Sequence, residues 1–132
     1  MLRKSFVVLI TTFLFVLVAC TSVDDATFDH YAEEAEQVIL MLNDGEYGEV
    51  VNLFADELKT ELDEAGLRQI EPLIAESGAF ESIKKVNVDK TEEVSTKEEI
   101  FVTVTQVVYE NNNRTFTISF NDQDELVGLY VK

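Results

Sequence analysis

The sequence predicts an α+β fold: three N-terminal helices packed on one face of a four-stranded antiparallel meander. Three observations carry this. Apolar residues recur at steps of three and four from Phe28 to Ile74, then at steps of two from Phe80 onward. Turn-forming clusters punctuate both halves: Asn43-Asp44-Gly45 in the first, Asn111-Asn112-Asn113 and Asn121 to Asp124 in the second. Helices and strands segregated along one small chain bury their apolar faces by stacking as two layers.

The elements follow in order. Asp24 or Asp25 caps the first helix. Its face is Phe28, Tyr31, Ala32, Ala35, Val38, Ile39 and Leu42, and Asn43-Asp44-Gly45 stops it. A second helix carries Tyr47, Val50, Val51, Phe54 and Leu58 along one side, with Gly48 off that stripe. Asp63 caps a third helix with Leu67, Ile70, Leu73 and Ile74 as its apolar positions. Pro72 removes a helical hydrogen bond, or opens a short final helix, so a break or bend is expected near Glu71. Gly78 ends the helical half.

Phe80, Ile83, Val86 and Val88 form the first strand, which turns polar toward Glu93. Ile100 to Tyr109 is apolar on both faces. Ile100, Val102 and Val104 line one, and Phe101, Val107 and Tyr109 the other, so this strand is central or covered on both sides. Phe116, Ile118 and Phe120 alternate with Thr115, Thr117 and Ser119. Leu126 to Val131 is the last strand, and Gly128 in its middle marks a bulge, a bend or a close backbone approach.

Ahead of this domain lies a different kind of segment. Arg3 and Lys4 precede a thirteen-residue stretch, Phe6 to Val18, that is apolar except for Thr11 and Thr12. A bilayer core needs about 20 such residues, so the stretch has the length and flanks of a secretory signal core. It ends Leu17-Val18-Ala19-Cys20, which resembles the lipobox of bacterial lipoproteins. The resemblance implies a thioether-linked diacylglycerol on the Cys20 sulfur and cleavage between Ala19 and Cys20. Cys20 is the only cysteine, so no intramolecular disulfide competes for it. Two acyl chains make a stable anchor where one does not. The expected organisation is a removed signal over 1–19, a lipidated cysteine and short linker over 20–24, and a single domain over 25–132. The expected location is the outer face of the cytoplasmic membrane, as in Gram-positive lipoproteins.

Charge narrows the partners. The chain carries ten bases and twenty-six acids, a net −16, and losing Arg3 and Lys4 with the signal takes it to −18. Phosphate binding needs Lys and Arg, so nucleic acid is excluded as a partner. Electrostatic adhesion to anionic lipid is excluded on the same ground, which leaves the lipid on Cys20 to hold the membrane. Residues 24–81 hold seventeen acids against Lys59 and Arg68, so the helical half is the more acidic and is expected to face away from the bilayer. Thr21 to Asp24 reach at most about 14 Å, so the domain sits close to the membrane.

The domain resembles the uncharacterised bacterial family known as domain of unknown function 3887, and more broadly the nuclear-transport-factor-2-like superfamily. The likeness rests on Asn43-Asp44-Gly45-Glu46-Tyr47 with Val50, Val51 and Phe54, on Gly78-Ala79-Phe80-Glu81-Ser82-Ile83, and on Leu126-Val127-Gly128-Leu129-Tyr130. It implies a curved sheet whose concave side is filled by one long helix and shorter ones, often around a pocket. It transfers no catalytic motif.

No Ser/His/Asp set, phosphate-binding glycine loop or metal-ligand spacing is legible, so no catalytic residue, metal or cofactor is assigned. His30, the only histidine, falls off the first helix's apolar stripe and reads as solvated. Tyr31 and Tyr109 sit on apolar stripes and Gln106 shares a strand face with Val102 and Val104; these three are the candidate pocket-lining residues. Glu92-Glu93 and Glu98-Glu99 read as a solvated hairpin edge, and Asp122 to Glu125 as a turn lacking the glycine and distant glutamate of a calcium loop. The reading that follows is a membrane-tethered, non-catalytic module for a small hydrophobic ligand or a partner protein. The alternatives are a small pocket-based isomerase or hydrolase and an oligomerisation or scaffold domain, and the sequence fixes no oligomeric state.

Overall fold

A computed structural model describes residues 21–132; the Phe6–Val18 stretch and the Leu17–Cys20 motif lie outside the described residues. The chain enters as a two-residue strand, β1 (Thr21–Ser22), and continues into a long helix, α1 (Asp25–Asn43). Asp24 is its N-cap: the backbone there is extended and the carboxylate accepts from the Thr27 N–H at 2.9 Å. The other end closes as a Schellman motif. Glu46 N–H donates to the Met41 carbonyl, Gly45 N–H to that of Leu42, and Gly45 takes φ +78°, where a side chain would be strained.

The expected second helix is two helices, α2 (Tyr47–Val51) and α3 (Asp56–Glu61). A long-range interaction breaks it. Leu126 N–H donates to the Leu53 carbonyl at 2.9 Å, and Ala55 N–H to the Leu126 carbonyl at 2.8 Å, so the chain leaves the helix to bridge the last strand. Val50 and Phe54 remain buried, which is why the apolar stripe looked continuous.

Asp63 caps α4 (Glu64–Leu67), accepting from the Gly66 N–H at 2.8 Å. A 3₁₀ turn, Arg68–Ile70, follows, and α5 (Glu71–Ser77) restarts with Pro72 in its first turn, where the missing N–H costs nothing. Gly78 ends it at φ +85°.

The sheet has five antiparallel strands in chain order rather than the expected four: β1, then β2 (Phe80–Glu92), β3 (Glu99–Tyr109), β4 (Asn113–Asn121) and β5 (Leu126–Val131). The extra strand comes from the segment expected to be linker, because Thr21 and Ser22 pair with Lys90 and Asp89. β3 is central, between β2 and β4. Its pleat sorts the layers: Phe101, Thr103, Thr105, Val107 and Tyr109 are buried, while Ile100, Val102, Val104 and Val108 are half-exposed. Phe116, Ile118 and Phe120 of β4 join the buried set. Against them pack Tyr31, Ala35, Val38, Ile39 and Leu42 of α1. Tyr31 stacks on Phe101 with ring centroids 4.3 Å apart. The register slips between Ser119 and Phe120, opposite Gly128 and Leu126, so Val127 is the extra residue of a bulge. The helices thus cover one face of the sheet and leave the other to solvent.

Candidate functional site

The uncovered face holds a groove of about 580 Å³, a size typical of small-ligand sites. Its floor is apolar: Ile100 and Val102 of β3, with Val127 and Gly128 of the β5 bulge, and Ser119 of β4 between them. The pleat puts Ile100, Val102, Ser119 and Gly128 on this side, opposite the buried Phe101, Thr103 and Phe120. The β2–β3 hairpin forms one wall through Thr91, Glu92, Glu93, Ser95, Thr96 and Glu98, and Glu57 of α3 contributes from across the groove.

The rim is acidic. Glu57, Glu92, Glu93 and Glu98 line the groove, no Lys or Arg does, and all four carboxylates are exposed. Lys90, in register with Phe101 on the helix side, is engaged by Glu99 at 3.1 Å. Glu93 is held in place: its Oε1 accepts from Ser95 Oγ at 2.7 Å and from the Ser95 N–H at 3.1 Å. These donors stabilise the carboxylate, and its pKa lies below the usual value. The hairpin is tied by Glu93 N–H to the Glu98 carbonyl and Lys97 N–H to the Glu93 carbonyl, both 2.8 Å, with Lys97 at φ +63°.

None of the three pocket candidates from the sequence lines this groove. Gln106 is on the same face but exposed, at the opposite end of the β3 stripe and in register with Lys85 and Thr115. Tyr31 and Tyr109 are in the core on the helix side, at 5% and 2% exposure. Tyr31 Oη donates to the Asn121 carbonyl at 3.3 Å. Burial, and next to it the Asp124 carboxylate, pushes its pKa up. Burial raises the Tyr109 pKa as well, and among the described residues its hydroxyl has no hydrogen-bond partner. Ala19 and Cys20 lie outside the described residues.

A second cluster joins residues distant in sequence. His30 Nε2 lies 2.8 Å from Asp124 Oδ2, and with Glu34, one helical turn from His30, the three offer ligand atoms within 4.8 Å of one another. Asp124 is presented from φ +63° in a turn where Asn121 Oδ1 accepts from the Gln123 and Glu125 N–H groups. His30 is about half-exposed, and its contact clips α1 to the β4–β5 turn.

Sequence reasoning missed the groove because its walls come from α3, a hairpin and a bulge. Glu92, Glu93 and Glu98 were legible only as a solvated edge. The available signal was the apolar second face of β3, for which no helix was left over. No helix among the described residues is long and apolar enough to cross a membrane.

Fold and site define a small α+β domain: a long helix and short ones over one face of an antiparallel sheet, with an acidic-rimmed groove on the other. Residues 35–129 match the family described as protein of unknown function (DUF3887), and the chain belongs to that family. The fold is similar to that of a protein from Ruminococcus gnavus solved by NMR, with a TM-score of 0.68 and 17% identity over 82% of this chain and 90% of that one. No curated protein matches the chain.

Proposed function

We propose that this chain is a lipid-anchored, non-catalytic binding module on the outer side of the cytoplasmic membrane, built on a nuclear-transport-factor-2-like frame, and that the groove on its helix-free face is the binding site. The observation that carries the reading is the groove itself: an apolar floor across β3, β4 and β5, of ligand size, on the face that no helix covers. The Leu17-Val18-Ala19-Cys20 motif supplies the anchor. Thr21, next to that cysteine in sequence, pairs with Lys90, and Thr91 to Glu93, which follow at the end of β2, are part of the groove wall. In this reading the chain leaves its anchor at the groove's end of the domain.

Binding is favoured over catalysis by the state of the carboxylates. A catalytic acid or base needs burial or a close charge to bring its pKa near the working pH. The groove's four glutamates are exposed, and the two Ser95 donors hold the Glu93 carboxylate in its ionised form, its pKa below the usual carboxylate value. The long α1 packed across the sheet supports the superfamily frame.

The test is site-specific photocrosslinking in native membranes with a photoreactive residue at Val127 in the groove or at Leu40, exposed on α1. The reading expects adducts from position 127, absent at position 40 and reduced when Cys20→Ala releases the chain from the membrane. Equal labelling at both positions, or none at 127, contradicts it.

A further inference from the structure

The groove's chemistry names its occupant. We infer that it takes a small cationic amphiphile, an apolar body of several carbons ending in an amine or guanidinium. This rests on the groove being the binding site.

Three features select that class. First, the floor of Ile100, Val102, Val127 and Gly128 rewards removal of apolar surface from water, and apolar burial is indifferent to charge. Second, selection comes from the rim. Glu93 and Glu98, paired across the hairpin, and Glu57 from α3 line the groove with no base among the lining residues, so a carboxylate or phosphate head is repelled there, whereas an amine head is attracted. Third, the rim is organised in advance at Glu93, whose carboxylate is held by both Ser95 donors, and the hairpin that carries Glu92 to Glu98 is closed by two backbone hydrogen bonds. Little has to be ordered when a cation arrives. A volume of about 580 Å³ suits a compact organic amine rather than a folded partner.

Placement adds to this. If the anchor end faces the bilayer, the groove opens where an anionic membrane surface concentrates cations within about a Debye length. A cationic amphiphile partitioning to that surface would reach the groove from the lipid side, and the protein's own acidic surface would not compete for the lipid.

The test is methyl and amide NMR of the mature, lipidated chain in phosphatidylcholine nanodiscs, titrated with hexylamine, hexanol and hexanoate. These share a six-carbon body and differ in head charge. Hexylamine should shift Val102, Val127 and Gly128 and bind at least tenfold more tightly than hexanol, with hexanoate weaker still. The advantage over hexanol should shrink severalfold in 0.5 M NaCl, and likewise in a Glu93→Gln/Glu98→Gln variant, whose substitutions are at exposed positions. Equal binding of hexylamine and hexanol, or tighter binding of hexanoate, overturns the charge selection while leaving the groove as an apolar site. Shifts absent from the groove for all three compounds would sink the groove reading itself. Shifts at the same residues that grow with protein concentration in the absence of ligand would assign the face to a second copy of the chain and overturn the proposal.

Discussion

Thr21 lies opposite Lys90 in the sheet, and its hydroxyl donates to the Lys90 carbonyl at 3.3 Å. This two-residue edge fixes the point where the chain enters the domain. It should be dispensable for folding but not for position. Ser22→Pro deletes an edge N–H and is expected to cost less than about 1 kcal/mol in urea unfolding. The same change should weaken hydrogen-exchange protection along the outer edge of β2 near Asp89.

The core carries the stability. Phe116 is fully buried under α1, so Phe116→Ala should cost about 3–5 kcal/mol. Tyr130 is 63% exposed on the groove face of β5. Tyr130→Ala should stay within about 0.5 kcal/mol. Urea midpoints for the pair test the assignment of the two sheet faces, and similar costs would show that the faces had been mistaken.

Gly45 isolates a backbone effect. No atom lies within 4 Å of where a Cβ would sit, but φ is +78°. Gly45→Ala should therefore cost about 1–2 kcal/mol from conformation alone. A neutral result would mean that the turn relaxes out of its Schellman geometry, which the Glu46 N–H to Met41 carbonyl bond would report by losing protection.

Two titrations bear on stability with opposite signs. The Asp24 carboxylate is stabilised by the Thr27 side-chain and backbone hydrogen bonds, so its folded pKa lies below 3.8. Its contribution is present above the unfolded value and is lost as pH falls through the lower folded value. Asp24→Asn keeps an acceptor for the cap and should flatten this part of the acid unfolding profile. Tyr31, Tyr47 and Tyr109 are pushed above 10 first by burial. Their neutral forms favour the fold, so stability should be intact below about pH 10 and fall above it. An alkaline absorbance titration should show these three ionising together with unfolding; normal ionisation of all tyrosines in the folded chain would contradict their burial.

The His30–Asp124 contact, 2.8 Å between groups 47% and 39% exposed, is a surface clip. A double-mutant cycle with His30→Ala and Asp124→Ala should return a coupling of about 0.2–1 kcal/mol, reduced by salt. A larger coupling that strengthens on adding zinc would show that the three-residue cluster with Glu34 is more than a clip.

Much of the fold was written in local periodicity. Phe116, Ile118 and Phe120 alternate because one face of β4 is buried and the other is wet, and α1 was legible because its stripe from Phe28 to Leu42 packs on that buried face. The break at Asn52 to Ala55 was not legible, since it arises from hydrogen bonds to Leu126, more than 70 residues away, while Phe54 stays in helical phase. β1 was missed because two polar residues carry no strand period. The groove was missed for a related reason: Glu57, Glu93 and Val127 meet only through the topology of the sheet. Gln106 shares the face of Ile100 and Val102, but position along the strand decides which residues reach the groove.

The proposed arrangement is a tethered groove close to the lipid, with the acidic helical end pointing away. α1 spans 19 residues from Asp25, near the proposed tether, to Asn43; at 1.5 Å per residue that separates its ends by about 28 Å. Energy transfer to acceptor lipids, from a dye at Ser95→Cys on the hairpin or at Asp44→Cys beyond α1, reads this directly. A lipidated Cys20 takes no dye, so each variant carries one label. Transfer should be markedly more efficient from position 95 than from position 44. Equal or reversed efficiencies, or dye on Cys20 of the unsubstituted chain, would contradict it.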